Sequence, residues 1–265
     1  MDKRNLRAIA EDLLRGEFCD TVWKPFRSAV YEYGLIDPGD RIAVCISGGK
    51  DSMLLACLMR MLREEGEIPF DLRYLIMDPG YSAPNREKVE ANARALGLPY
   101  ELFETDIFSV ANAQEKNPCF LCARMRRGHL YSHAQSLGCR KIALGHHFDD
   151  AIETTLMAAL WGAQLQAMPP ILNATNFEGM SLIRPLYRVR ERDIIAWKDA
   201  CGLTFIQCAC RFTESLGPGE HNASKRQDVK ELIRRLDLEA PGTSDRLFES
   251  IHHLRTETFP VSSSP

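Results

Sequence analysis

One stretch decides the fold: RIAVCISGGKDS, at residues 41–52. Its first half is a short apolar run, typical of a buried strand, and an apolar helical pattern continues from Ser52 to Leu62. Between the two lies SGGKDS, whose small residues let backbone N–H groups approach an anion. The start of a helix adds the positive end of its dipole, and Lys50 adds a full charge. We therefore predict a strand, a phosphate-binding loop and a helix in succession.

The loop is not a Walker A motif, which has a glycine five positions before its second glycine and Ser or Thr after its lysine. Val44 and Asp51 occupy those two positions here. An ordinary tight turn capped by Ser47 is the alternative interpretation. The candidate phosphate-binding residues are Ser47, Gly48, Gly49, Lys50, Asp51 and Ser52.

The chain around this loop alternates between short apolar runs and helical patterns. Further strands are expected at Leu72–Met77, Tyr100–Phe103 and Lys141–Leu144, with helices between them. Near-continuous apolar strands separated by helices are typical of a parallel sheet built from βαβ units. We predict an α/β fold with a parallel sheet, and SGGKDS at the carboxyl edge where such sheets bind ligands.

Helical patterns flank this core. Apolar residues in helical spacing predict a helical segment over residues 1–35 and a C-terminal helical extension over 216–265. Residues 36–215 then form the main domain. A chain of 265 residues is long enough for one large domain with such appendages.

Composition and charge exclude several classes of protein. Hydrophobic residues make up 45% and charged residues 26%, as in globular domains, and no stretch has the composition of a membrane span. The net charge is −3, so any contact with nucleic acid depends on a local basic patch. The nine cysteines are an odd number, and the first residues lack a signal-peptide pattern. We therefore expect a cytoplasmic protein with reduced thiols or metal ligands.

Four of the cysteines form two short motifs, Cys119-Phe-Leu-Cys122 and Cys208-Ala-Cys210. Four thiolates can close a tetrahedral zinc site, and cysteines also hold iron–sulfur clusters. A lone CxxC is in addition typical of a redox pair. The spacing alone leaves these three possibilities open. The other cysteines with an apolar context, Cys45, Cys57, Cys139 and Cys201, are expected in the core.

A second polar motif, GHHFDD at residues 145–150, follows the fourth predicted strand. His146 and Asp149 are its candidate site residues. Asp150 and Glu153 are three apart at the start of a helix, so a capping box would explain them without chemistry.

Seven arginines cluster in two runs after these motifs. A solvated surface is the ordinary explanation of such runs, but a planar guanidinium also suits phosphate, and together they would form the basic patch that nucleic acid requires. They are Arg124, Arg126, Arg127, Arg184, Arg188, Arg190 and Arg192.

Taken together, these motifs resemble the PP-loop ATP pyrophosphatases, and among them the enzymes that make 2-thiocytidine in tRNA. The resemblance extends over about residues 20–236. Besides SGGKDS, it rests on PCFLCARMRRGHLY (118–131), KIALGHHFDDAIETT (141–155), MPP (168–170), IRPL (183–186) and RERDI (190–194).

This resemblance implies an adenine nucleotide alpha hydrolase-like domain that binds ATP and Mg²⁺ and acts on tRNA. It implies that ATP activates the C2 oxygen of a cytidine as an adenylate and that sulfide, held at the open iron of a 4Fe-4S cluster, then displaces AMP. Lys50 would stabilise the departing pyrophosphate, and Asp51 or Asp149 would suit Mg²⁺. Further expected nucleotide-binding positions are Asp78 and Gly145.

The resemblance also implies three cluster ligands: Cys119, Cys122 and one later cysteine. We expect Cys208 as the third, because Phe205–Cys208 resembles the family's short strand that ends in Pro-Cys, and Cys210 departs from the family's spacing. Cys210 is then a spare thiol that could bind or relay sulfur.

The expected partners are tRNA, a sulfur donor such as a cysteine desulfurase or free sulfide, and a second copy of the chain as a homodimer. Three other functions stay open at this point. One is thiolation of a free base or small metabolite, another is a cluster-free amide- or lysidine-forming ligase of the same superfamily, and the last is a zinc-stapled nucleotide-binding module.

Overall fold

The computed structural model describes residues 6–112, 118–206 and 221–258, without the side chains of 112, 118–120 and 221–224. Its described strands are β1 (Arg41–Ile46), β2 (Asp71–Asp78), β3 (Tyr100–Glu104), β4 (Lys141–Ala143), β5 (Ile171–Asn173) and β6 (Ser181–Ile183). Its described α-helices are α1 (Leu6–Arg15), α2 (Lys24–Glu32), α3 (Lys50–Glu65), α4 (Ala83–Ala95), α5 (Ile107–Asn112), α6 (Pro118–Ser136), α7 (Phe148–Gly162), α8 (Glu191–Ala200), α9 (His221–Glu239) and α10 (Thr243–His252). A π-helical turn, Cys19–Trp23, joins α1 to α2.

The strands form one sheet in the order β3-β2-β1-β4-β6-β5. All neighbouring strands pair in parallel except β5 and β6, which are antiparallel. The predicted parallel α/β sheet with helices at both ends of the chain is therefore confirmed. β5 and β6 were not predicted, because their three residues, unlike those of β4, do not stand out as an apolar run.

The central strand β1 is buried on both sides of the sheet. Ile42, Val44 and Ile46 belong to one apolar core and Ala43 and Cys45 to another, as the two-residue period of a strand requires. The first core also contains the buried faces of α1, α3 and α8, whereas α6 packs on the second. Burial on both sides explains why this strand appears in the sequence as a continuous apolar run.

The four cysteines expected in the core are buried. Burial raises the pKa of Cys45, Cys57 and Cys201 to about 12, so these sulfurs stay protonated thiols at neutral pH. Because the thiolate is the form that binds metals, they are poor candidates for cluster ligands.

The described residues fall into two compact units. The first contains the residues up to Phe148 and those from Pro169 to Ile206, and so holds the whole sheet. The second contains Asp149–Met168 with α9 and α10, so most of α7 groups with the C-terminal helices. None of the described helices is both long and apolar enough to cross a membrane.

Arg60 is one of the buried charged residues in the first unit, with 5% of its surface exposed. From the middle of α3 it forms an ion pair with Glu11 of α1, at 2.7 Å. The same guanidinium donates to the backbone carbonyls of Leu96 and Gly97, at 2.6 and 3.1 Å. One side chain thus connects α1, α3 and the turn before β3.

We expect the substitution Arg60→Met to lower the free energy of unfolding by about 3 kcal/mol, because two carbonyls lose their donor and Glu11 keeps only the more exposed Arg7 as its partner. Arg7 is the matched control, since it binds the same Glu11 from a side chain that is 45% exposed. Arg7→Met should cost less than about 1 kcal/mol. Urea unfolding followed by circular dichroism measures both, and equal losses would contradict the assignment.

Candidate active site at the carboxyl edge of the sheet

The SGGKDS loop leaves the carboxyl end of β1 and enters α3, whose N-cap is Gly49. Gly48 has a φ of +86°, in the left-handed region. A Cβ at this position would lie 2.5 Å from Val89 Cγ2 and 2.8 Å from Ile206 Cδ1. Both the backbone angle and the lack of space therefore require glycine.

The two serines of the loop hold its shape. Ser52 Oγ accepts from the backbone N–H of Ser47 at 3.1 Å and donates to the carbonyl of Gly49 at 3.0 Å. Ser47 Oγ lies 3.2 Å from the same hydroxyl. The first N–H groups of α3 have no partners within the helix, so this closed loop presents donors to an anion.

Lys50 is held between two carboxylates. Its Nζ lies 3.2 Å from Asp51 Oδ1 and 3.1 Å from Glu191 Oε1, at the start of α8. Burial lowers the pKa of Lys50, but Asp51 and Glu191 raise it by more, so the net pKa lies above the ordinary value. The lysine is therefore a fixed cation beside the loop. The sequence analysis did not single out Glu191, whose only signal was its place in RERDI.

The GHHFDD motif reaches the loop through Gly145. A Cβ at Gly145 would lie 2.9 Å from the carbonyl carbon of Asp51 and 3.0 Å from the backbone nitrogen of Ser52. This close approach places His147 Nε2 at 3.9 Å from Asp51 Oδ1. The structure thus brings His147, which is buried, to Asp51, whereas the sequence analysis had selected its half-buried neighbour His146.

Asp51 carries the buried oxygen that suits a metal ion. Its Oδ1 is buried and accepts no hydrogen bond from the part of the chain that the structure describes, although it forms the ion pair with Lys50 Nζ at 3.2 Å. A hard carboxylate oxygen in this position fits Mg²⁺, which binds through one or two carboxylates beside phosphates. The other magnesium candidate, Asp149, lies in the first turn of α7.

Asp78, a predicted nucleotide-binding position, is buried at the end of β2. Its Oδ1 accepts from the backbone N–H groups of Gly80 and Tyr81, at 2.8 and 2.6 Å. The turn that it shapes directs Tyr81 to the loop, where the phenolic hydroxyl donates to the carbonyl of Ser47 at 3.1 Å.

Tyr81 also meets the CxxC helix. It packs with Cys122 around the apolar cluster of Met77 and Phe108. Burial raises the pKa of Tyr81, and a hydrogen bond from Arg126 of α6 opposes that rise. The sequence analysis missed Tyr81, because a lone tyrosine after a turn carries no motif.

The cysteine motifs are only partly within the described structure. Helix α6 begins at Pro118, so it includes both positions of the CxxC. The thiol of Cys122 is half-buried, and the side chain of Cys119 lies outside the described residues. Cys208 and Cys210 also lie outside them. The described residues alone contain no group of three metal-ligating side chains.

Several predicted polar residues have structural partners. Within the second unit, Arg226 of α9 forms ion pairs with Asp150 and with Glu153, the latter at 2.7 Å. These two carboxylates thus connect α7 to α9. The capping interpretation did not include Arg226 as their partner. Within the first unit, Arg188 pairs with Glu32, and Arg190 lies 3.7 Å from the centre of the Phe148 ring.

Comparison with known proteins identifies the family. A model described as a PP-loop domain matches residues 24–210. A tRNA-cytidine(32) 2-sulfurtransferase from Anaeromyxobacter dehalogenans is 37% identical over 85% of this chain and 76% of that protein. The chain belongs to this PP-loop family of tRNA-cytidine 2-sulfurtransferases. The resemblance seen in the motifs is thereby confirmed.

Other members and one solved structure agree with this family. The tRNA-cytidine(32) 2-sulfurtransferase from Neisseria meningitidis serogroup A is 35% identical over 94% of this chain and 76% of its own. The U34-tRNA thiolase NcsA from Methanococcus maripaludis, solved with its [4Fe-4S] cluster, has a TM-score of 0.66. The two chains are 21% identical, and the match covers 88% of this chain and 79% of NcsA. It shows that the PP-loop fold is shared.

We expect Tyr81→Phe to weaken ATP binding about tenfold, because Ser47 loses the hydroxyl that positions its carbonyl. The apolar contacts of the ring are kept, so the fold should be unchanged. Tyr100→Phe is the control, since its hydroxyl bonds Glu90 at 2.7 Å, away from the loop. Calorimetric titration with ATP measures both variants, and an unchanged affinity of Tyr81→Phe would exclude the positioning role.

Proposed function

We propose that this protein is an ATP-dependent enzyme that replaces the C2 oxygen of a tRNA cytidine, at position 32, with sulfur. One observation carries the proposal: both cysteine motifs are connected to the SGGKDS loop, one through Tyr81 and the other through Ile206. Tyr81 joins the loop to Cys122 and its helix. Ile206, two residues before Cys208, packs against Gly48.

The first half-reaction uses the loop. An oxide ion is a poor leaving group, so the C2 oxygen attacks the α-phosphorus of ATP, the bond to the β-phosphate breaks, and pyrophosphate leaves. The N–H groups at the start of α3 and the fixed cation of Lys50 stabilise the charge that develops on pyrophosphate. Asp51 would hold Mg²⁺, which would supply positive charge to neutralise part of the charge on the phosphates.

The second half-reaction forms the carbon–sulfur bond. Sulfide bonds to C2 while the C2–O bond breaks, and AMP leaves with that oxygen, so no electrons are exchanged. A 4Fe-4S cluster held by Cys119, Cys122 and Cys208 would, when bound, supply an iron position for the sulfur. The half-buried thiol of Cys122 beside Tyr81 fits such a ligand, because it is near the loop and, unlike Cys45, is not sealed in the core.

The proposed partners follow from this reaction. The acceptor is a tRNA with an unpaired cytidine, since the base edge must be exposed for attack. A cysteine desulfurase or free sulfide supplies the sulfur. His146 and Asp149 remain proposed catalytic residues, and we retain the homodimer and the cytoplasmic location as proposals.

The direct test is anaerobic incubation of the full-length protein with ATP, Mg²⁺, sulfide and tRNA transcripts, followed by nucleoside mass spectrometry. We expect 2-thiocytidine in a transcript with cytidine at position 32 and none when this base is changed to uridine. Thiolation of free cytidine would instead support a small-molecule thiolase. AMP formation without any thiolated product would support a ligase.

We expect Lys50→Ala to reduce AMP formation by about a hundredfold or more, because the charge that develops on pyrophosphate loses its cation. Folding and iron content should not change. Lys24→Ala is the control, since this lysine is 68% exposed in a pair with Asp20. Rapid-quench measurement of labelled AMP gives both rates, and near-normal turnover in Lys50→Ala would contradict the role of the loop.

We expect anaerobically purified protein to be brown and to contain about four irons per chain. Cys208→Ala should lose the cluster, and Cys210→Ala should keep it. Iron and sulfide analysis with visible spectroscopy distinguishes the two variants. Loss of the cluster in Cys210→Ala alone would reverse their assignment, and one zinc per chain without sulfide would exclude the cluster.

A further inference from the structure

A groove of about 540 Å³ lies between α6 and the connection from β5 to β6, within the first compact unit. Its α6 wall carries Arg124, Arg127, Gly128 and Tyr131, which repeat at helical spacing and so share one face. The opposite wall carries polar side chains and one aromatic ring, among them Asn173, Thr175, Asn176 and Phe177.

The two arginines of the groove differ from many other described arginines, which pair with carboxylates. Arg7, Arg27 and Arg86, for example, each pair with a carboxylate. Arg124 and Arg127 are exposed, and neither forms an ion pair with any acidic side chain among the described residues. Two adjacent guanidinium groups without a carboxylate attract an anion, and their planar donors suit phosphate oxygens.

The remaining walls suit a nucleobase. Tyr131 and Phe177 are stacked, with ring centres 5.0 Å apart and planes at 13°. Tyr131 is buried beneath the half-buried Phe177, so Phe177 offers a supported aromatic surface. The amides of Asn173 and Asn176 provide both donors and acceptors for a base edge.

Gly128 keeps the groove open. It lies in the interior of α6, where glycine costs about 1 kcal/mol relative to alanine. A Cβ at this position would meet no atom within 4 Å, so helix packing does not require glycine here. The missing side chain instead leaves space in the wall of the groove.

We propose that this groove binds one unstacked nucleotide of the RNA substrate, with its phosphate at Arg124 and Arg127 and its base at Phe177. The inference rests on the proposed function and adds a binding site beside the reaction. Helix α6 also carries Cys122, less than one turn before Arg124, so one helix faces both the sulfur site and the neighbouring RNA. Single-stranded RNA is recognised by this combination of cations and aromatic surfaces.

The test compares two substitutions at one residue. Gly128→Leu fills the groove, whereas Gly128→Ala adds only a methyl group, and both residues favour a helix more than glycine does. The probe is a fluorescent RNA hairpin with the sequence of a tRNA anticodon arm, titrated with anaerobic full-length protein. We expect Gly128→Leu to weaken binding about tenfold or more and Gly128→Ala to bind like wild type. ATP affinity should be unchanged in both.

A second variant tests the charges. Arg124→Gln/Arg127→Gln should weaken hairpin binding and reduce the slope of log affinity against log salt by about 1 to 2. Wild-type hairpin affinity in Gly128→Leu, or an unchanged salt slope in the double variant, would overturn the inference. If the groove variants lose affinity but the wild type forms no 2-thiocytidine, the groove stands and the proposed reaction is wrong. If thiolation occurs and Gly128→Leu binds the hairpin like wild type, the proposed reaction stands and the groove inference is wrong.

Discussion

The structure depends on the close packing around Gly48, a position at which no residue larger than glycine fits. Its left-handed φ turns the chain out of β1, and Val89 and Ile206 contact it where a side chain would begin. Three other segments meet the same loop: the turn with Tyr81, the strand end with Gly145 and, through Ile206, the chain that leads to Cys208. A rigid strand that is buried on both faces supports this meeting point, so the surrounding side chains have defined positions.

Burial has different consequences for the lysine of the loop and for the cysteines of the core. Lys50 keeps its charge although it is partly buried, because Asp51 and Glu191 lie beside it. The core cysteines lie in apolar surroundings that raise the pKa of Cys45 and Cys57 to about 12. The same desolvation that makes a thiol inert therefore argues against the core cysteines as ligands, whereas Cys122 is only half-buried.

Most of the fold could be predicted because its signals are local. β1, β2 and the helix after SGGKDS have long apolar patterns, and the structure places them within three residues of the predicted bounds. β5 and β6 have three residues each, as β4 does, but lack a distinct apolar run in the sequence. Asp150 and Glu153 fit a helix cap in sequence, but the structure joins both to Arg226, a residue distant in the chain. A contact between residues so far apart in the chain produces no periodic pattern in the sequence.

The sequence by itself determined the α/β class, the phosphate-binding loop and the resemblance to the PP-loop enzymes, because each depends on residue types at short, fixed spacing. Only the tertiary structure decided that His147 approaches Asp51, and that Tyr81 and Glu191 support the loop. The groove beside Gly128 is also seen only in the tertiary structure. These relations arise where separate strands and helices converge, and the packing that brings them together is a property of the whole fold rather than of any segment.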